Sequence, residues 1–70
     1  MNNDLRDRRQ RSGESQADLA LAVDVTRQSI NAIERGRYDP SLALAFKLAH
    51  HYECAIEDIF DPDLASDTDQ

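Results

Sequence analysis

From Ser15 to Gly36 the chain writes a helical pattern twice. Leu19, Ala20 and Val23 fall at i, i+1 and i+4, an apolar face one helix wide. After Val23-Asp24-Val25 the pattern restarts, with Ile30 and Ile33 at i and i+3. Ser15 followed by Asp18 makes a capping-box-like start for the first of these helices. The hydroxyl can accept an amide of the first turn, and the carboxylate suits the positive helix end. Thr26 is a second N-cap, and Gly36 supplies a left-handed stop. Ala20 leaves room for a close, steep crossing against Ile30 and Ile33. The stretch therefore predicts two short helices about a tight turn, the second turning a polar face outward.

The flanks supply the helices that hold this pair. Asn2 or Asn3 can cap a first helix running to about Arg11, with Leu5 its strong apolar anchor and Gly13 its left-handed end. Beyond Gly36, Arg37-Tyr38-Asp39-Pro40 reads as a loop and Ser41 as the cap of a fourth helix. Leu42, Ala45, Leu48, Ala49 and Tyr52 mark one face of that helix. Leu44 and Phe46 widen the stripe, either as ordinary core or as a surface for a second copy of the chain. Ile56, Ile59 and Phe60 predict a closing helix of one to two turns. The chain thus reads as an all-α, compact five-helix bundle over residues 1–60, followed by an acidic tail, 61–70, poor in apolar residues.

Composition changes this picture in two places. With 40% hydrophobic and 31% charged residues, the chain is globular rather than disordered, although 70 residues bury only a modest core. The net charge of −6 is adverse to nucleic-acid binding until its distribution is considered. Residues 1–37 hold seven Arg against six acids, a net of +1, whereas residues 38–70 hold Lys47 against eight acids, a net of −7. The usage of ten Asp, seven Arg and a single Lys resembles that of proteins from salt-loving microbes; a GC-rich genome with an acidic tail is the blander source. No apolar run approaches the roughly 20 residues of a membrane span, and Cys54 is the only cysteine. A cytoplasmic location is expected, with no membrane partner.

The run Gln16-Ala17-Asp18-Leu19-Ala20, then Val25-Thr26-Arg27-Gln28-Ser29-Ile30 and Ile33-Glu34-Arg35-Gly36, resembles the Cro and phage-repressor (XRE-like) helix-turn-helix family. The likeness continues through Tyr38-Asp39-Pro40-Ser41-Leu42, Lys47-Leu48-Ala49 and Ile56-Glu57-Asp58-Ile59-Phe60, covering residues 4 to 60. It implies the lambda-repressor-like DNA-binding fold and a transcriptional regulator, expected to be a repressor acting as a homodimer on double-stranded DNA. It also implies an ion pair between Arg9 and Glu34 that fixes the angle of the third helix. Arg27, Gln28 and Ala32 would face bases, and Gln16 and Arg35 would face phosphates. Four positions depart from the family: Arg8 and Glu14 stand where apolar residues are usual, and Asp24 and Glu53 where Gly is. Arg8 and Glu14 carry opposite charges and flank one turn, so they either pair across it or stand as two solvated charges. Asp24 tolerates the left-handed region, so the turn is expected to survive. Glu53 is expected to leave the end of the fourth helix less sharply defined.

The chemistry of the outer face of the third helix agrees with this. Thr26, Arg27, Gln28, Asn31 and Ala32 are not needed for the apolar stripe. Arg27 can present two donors to guanine O6 and N7, and Gln28 can pair with adenine N6 and N7. Ser29 or Ala32 can meet a thymine methyl, and Arg37 and Tyr38 are further phosphate candidates. His50 and Cys54 share a helical face, but no second pair completes a tetrahedral metal site. Cys54 is more simply a small apolar residue. No catalytic constellation or phosphate loop is present, so neither an enzyme, a cofactor nor a small-molecule ligand is expected. The alternative to DNA reading is a protein-interaction module, antitoxin-like or an adaptor, whose acidic C-terminal half grips a basic partner.

Overall fold

The computed structural model describes residues 2–61. Five helices follow one another: α1 (Leu5–Arg11), α2 (Gln16–Val23), α3 (Arg27–Glu34), α4 (Leu42–His51) and α5 (Ile56–Ile59). Two short strands, β1 (Asn2–Asn3) and β2 (Phe60–Asp61), pair antiparallel and bring the ends of the described chain together. The outer boundary expected at residue 60 therefore cuts a strand: Asp61 faces Asn2 across the ladder, and residues 62–70 of the expected tail lie outside the described residues.

The helices start where short polar side chains close their first turns. Ser15 Oγ accepts from the Asp18 amide, while an Asp18 carboxylate oxygen accepts from the Ser15 amide, both at 3.0 Å. Those bonds hold the Asp18 carboxyl below its ordinary range, the Ser15 amide contributing most. Thr26 caps α3 through the Ser29 amide, and Ser41 caps α4 through the Leu44 amide. At α1 the Leu5 amide donates to Asn3 Oδ1, although the residue at the cap position is Asp4, whose own side chain makes no capping bond. Gly13 and Gly36 take positive φ values of +74° and +73°, and Asp24 carries the α2–α3 turn at φ 61° and ψ 49°.

The core lies where α2 packs on α3 and α4, and α4 on α5. Leu5, Leu19, Val23, Ile30, Ile33, Leu48, Ile59 and Phe60 are buried there, with Ala20, Ala45 and Ala49 between them. Phe60, anticipated as helical, is buried from β2 instead. Three expectations need correction. On α4 the buried stripe is Leu44, Ala45, Leu48 and Ala49, and Leu42 is 69% exposed. Leu42 opens the helix, and the i, i+1, i+4, i+5 phase set by Leu44 turns it outward. Arg8 and Glu14 do not pair. Arg8 Nε bonds Asp4 one turn back at 3.0 Å and its Nη2 donates to the Asp58 carbonyl, while Glu14 accepts from Tyr52 Oη at 2.7 Å and lies 2.6 Å from His51 Nε2. Glu14 thus fills an apolar position by having its charge answered from α4. Burial first, and the Glu14 bond second, push the Tyr52 hydroxyl up. Finally, α4 ends sharply: Glu53 takes φ 55°, its amide donates to the His50 carbonyl and that of Cys54 to Ala49, so the left-handed closure forms without glycine.

Candidate nucleic-acid interface

The amphipathic pattern of α3 sets which side it shows. Ile30 and Ile33 are fully buried, Arg27 and Gln28 in the turn before Ile30 are exposed, and Asn31 and Ala32 between the two isoleucines are half-buried. The side chains of Arg27 and Gln28 make no hydrogen bond or ion pair with any described residue. The Thr26 hydroxyl is engaged in the cap and lies 3.0 Å from Ser29 Oγ. Arg35, Arg37 and Tyr38 are exposed at and beyond the far end of the helix.

That far end is fastened. Arg9 Nε donates to Glu34 Oε2 at 2.6 Å and Arg9 Nη2 to Oε1 at 3.2 Å, a two-pronged contact in which the side chains are only 11% and 3% exposed. Arg9 Nη1 donates to the Glu14 carbonyl at 2.9 Å, which ties the same guanidinium to the α1–α2 turn. The Glu34 contact raises the affinity of Arg9 for its proton, and partial burial works against that rise. Gln16 Nε2 adds a third donor to Glu34, at 3.2 Å from Oε1. Asn3 Nδ2 donates to the Ile33 carbonyl at 2.8 Å, so β1 also holds this end of α3.

The structure therefore gathers Gln16, Arg27, Gln28, Asn31, Ala32 and Arg35 on or beside the open side of α3, and Arg37 and Tyr38 in the loop after it. Gln16 is shared: one amide hydrogen goes to Glu34, leaving the other available. Asn3 is legible in the sequence only as a cap for α1, and its bond to the Ile33 carbonyl was invisible to sequence reasoning because it depends on a two-residue strand. The polar partners of Glu14 were equally hidden, being 37 and 38 residues away. Among the described residues no cluster of His, Cys, Asp and Glu could hold a metal ion, and no helix is long and apolar enough to cross a membrane.

Comparison with known proteins gives this geometry its context. The helix-turn-helix family matches residues 5–59. An uncharacterized HTH-type transcriptional regulator of Methanocaldococcus jannaschii is 59% identical over 46 residues, 66% of this chain and 70% of the relative. The uncharacterized HTH-type transcriptional regulator YgzD of Bacillus subtilis is 45% identical over 60 residues, 86% of this chain and 91% of its own length. Among solved structures, the restriction-modification controller protein C.AhdI of Aeromonas hydrophila superposes with a TM-score of 0.72 at 32% identity, covering 80% of this chain and 85% of that one.

Proposed function

The chain belongs to the helix-turn-helix family of the Cro and phage-repressor type, a family of DNA-binding transcriptional regulators, and on that premise we propose that α3 reads an operator in the major groove. The carrying observation is the unengaged pair Arg27 and Gln28 at the start of a helix whose other end is clamped. Arg27 reads a guanine through O6 and N7, Gln28 an adenine through N6 and N7, and Asn31 and Ala32 contact or make room for neighbouring bases. Thr26, Gln16, Arg35, Arg37 and Tyr38 hold the flanking phosphates and set register. Repression follows from occupying a promoter, and the place of action is the cytoplasm.

One recognition helix contacts too few base pairs to single out a site among roughly 10⁶ competitors, so two copies are needed. The surface that suits a second copy is on α4 and α5. Phe46 is 59% exposed there, on the rim of a groove of about 680 Å³ lined also by Ala49, His50, Cys54, Ala55 and Ile56. Pairing would place the two α3 helices about 34 Å apart on half-sites one turn of duplex apart. Sedimentation from low to molar salt tests the pairing: the acidic halves repel less as salt screens them, so association strengthens while phosphate contacts weaken. A monomer throughout, bound one per site, would remove the dimer but leave DNA reading intact. DNA reading itself is tested by gel shift on the promoter region of the chain's own gene. Salt-sensitive, sequence-selective retention is expected. Indifference to every duplex would contradict the proposal and favour the acidic half as a grip for a basic protein.

A further inference from the structure

Arg6 stands one turn before Arg9 on α1, on the same side of the helix, because residues three apart are neighbours. Arg9 turns inward to Glu34, whereas Arg6 is exposed. Together with Arg9, Gln16, Asn31, Glu34 and Arg35 it lines a polar notch of about 290 Å³ where α1, α2 and the end of α3 meet. Three guanidiniums thus line the same notch as a single carboxylate. That carboxylate is already answered from within, by two N–H groups of Arg9 and a third of Gln16. The side chains of Arg6 and Arg35 make no hydrogen bond or ion pair with any described residue. The notch has a neutral floor, two open cations on its walls, and a spare amide N–H from Gln16.

An oxyanion carrying one negative charge fits these donors, since guanidiniums meet phosphate oxygens with paired N–H groups. Asn31 links the notch to the reading face, lying one helical turn after Arg27 on α3. We infer that Arg6 and Arg35 together seat one backbone phosphate of the bound duplex above the Arg9–Glu34 pair. This rests on the DNA-reading proposal and adds a contact from α1 to it. The buried pair that fixes α3 against α1 then also fixes where the sugar–phosphate chain enters, so one device sets both the angle of the reading helix and its register.

The test uses the full chain and three variants, Arg6→Gln, Arg35→Gln and the double substitution, titrated with duplex DNA across a salt series. Each single change should weaken cognate and random duplexes by the same factor, on the order of 3- to 10-fold at moderate salt, with the thermal midpoint unchanged. A shared seat predicts that the slope of log affinity against log salt falls by only about 0.9 in the double variant, the worth of one phosphate. Two separate phosphates would cost about 1.8, and that result would overturn the shared seat. A neutral methylphosphonate walked along the backbone should weaken the wild-type chain at one position, weaken Arg6→Gln less at that position, and leave the double variant indifferent there. If Arg6→Gln binds and responds to salt like the wild-type chain, Arg6 is only a solvated charge and the inference fails. Loss of base preference on Arg27→Ala in the same assay would show the DNA-reading proposal surviving that failure. A wild-type chain that retains no duplex would overturn both.

Discussion

At its C-terminal end α3 is fastened through Glu34, which takes three N–H donors from α1 and α2, and through the Ile33 carbonyl, held by Asn3. At its N-terminal end the same helix is held to the core by Ile30, and the exposed side chains of Arg27 and Gln28 have no hydrogen-bond or ion-pair partner among the described residues. The apolar stripe sets how deep α3 sits, and the ionic clamp sets its direction. On the proposed reading, the open end carries the sequence information. Substitutions at the two ends should therefore fail differently, one in stability and the other in selectivity.

The largest effect is expected at the clamp. Glu34→Ala strands the mostly buried Arg9 guanidinium and should cost about 3–5 kcal/mol of stability, read as a large fall in thermal midpoint. Glu57→Ala, which removes an exposed acid, should change the midpoint little. If the two behave alike, the clamp does not hold the fold. At the open end, Arg27→Ala and Gln28→Ala should each cost about 1–3 kcal/mol of cognate binding and leave the melting curve in place. Loss of stability there would mean that the two ends are not separable.

Smaller effects sharpen the same contrast. Asn3→Ala removes the donor to the Ile33 carbonyl and the acceptor for the Leu5 amide, and should cost about 1–2 kcal/mol in a denaturant titration. Tyr52→Phe leaves Glu14 with His51 as its remaining side-chain partner and should cost about 1 kcal/mol. The smallest effect is at the α2 capping box. The folded Asp18 carboxyl lies below the unfolded value of 3.8, so its contribution is complete above that pH and is lost as pH falls through the depressed folded value. The stability difference between wild type and Asp18→Asn should accordingly shrink in acid. A constant difference down to strongly acidic pH would show that the carboxylate is not what caps α2.

What was legible in the sequence was what is local. Ser15 with Asp18, Thr26 and Ser41 close helix ends through amides three residues away, and Leu19, Ala20, Val23, Ile30 and Ile33 betray their burial by spacing. Asp24 could be placed in the left-handed region because its side chain tolerates that backbone. What stayed hidden depends on pairs far apart in the chain. The β1–β2 ladder joins residues at opposite ends, too short to leave a period. Glu14 stands where an apolar residue is usual, and its partners Tyr52 and His51 lie far along the chain. Leu42 fits the α4 stripe by spacing, although the phase set by the buried Leu44, Ala45, Leu48 and Ala49 turns it outward. The notch beside Arg6 left no sequence signal either. The Arg9–Glu34 pair was reached through family resemblance, since no spacing rule connects residues 25 apart.

The division of α3 into an aimed end and a reading end is tested most directly by selecting preferred sites from randomised duplex DNA with wild type and Arg27→Ala side by side. Both proteins should melt at the same temperature. The wild type should select a defined half-site, and the variant should lose its preference at one base pair of that half-site while keeping the others. An Arg27→Ala protein that selects the same sequence as wild type at every position would contradict the account.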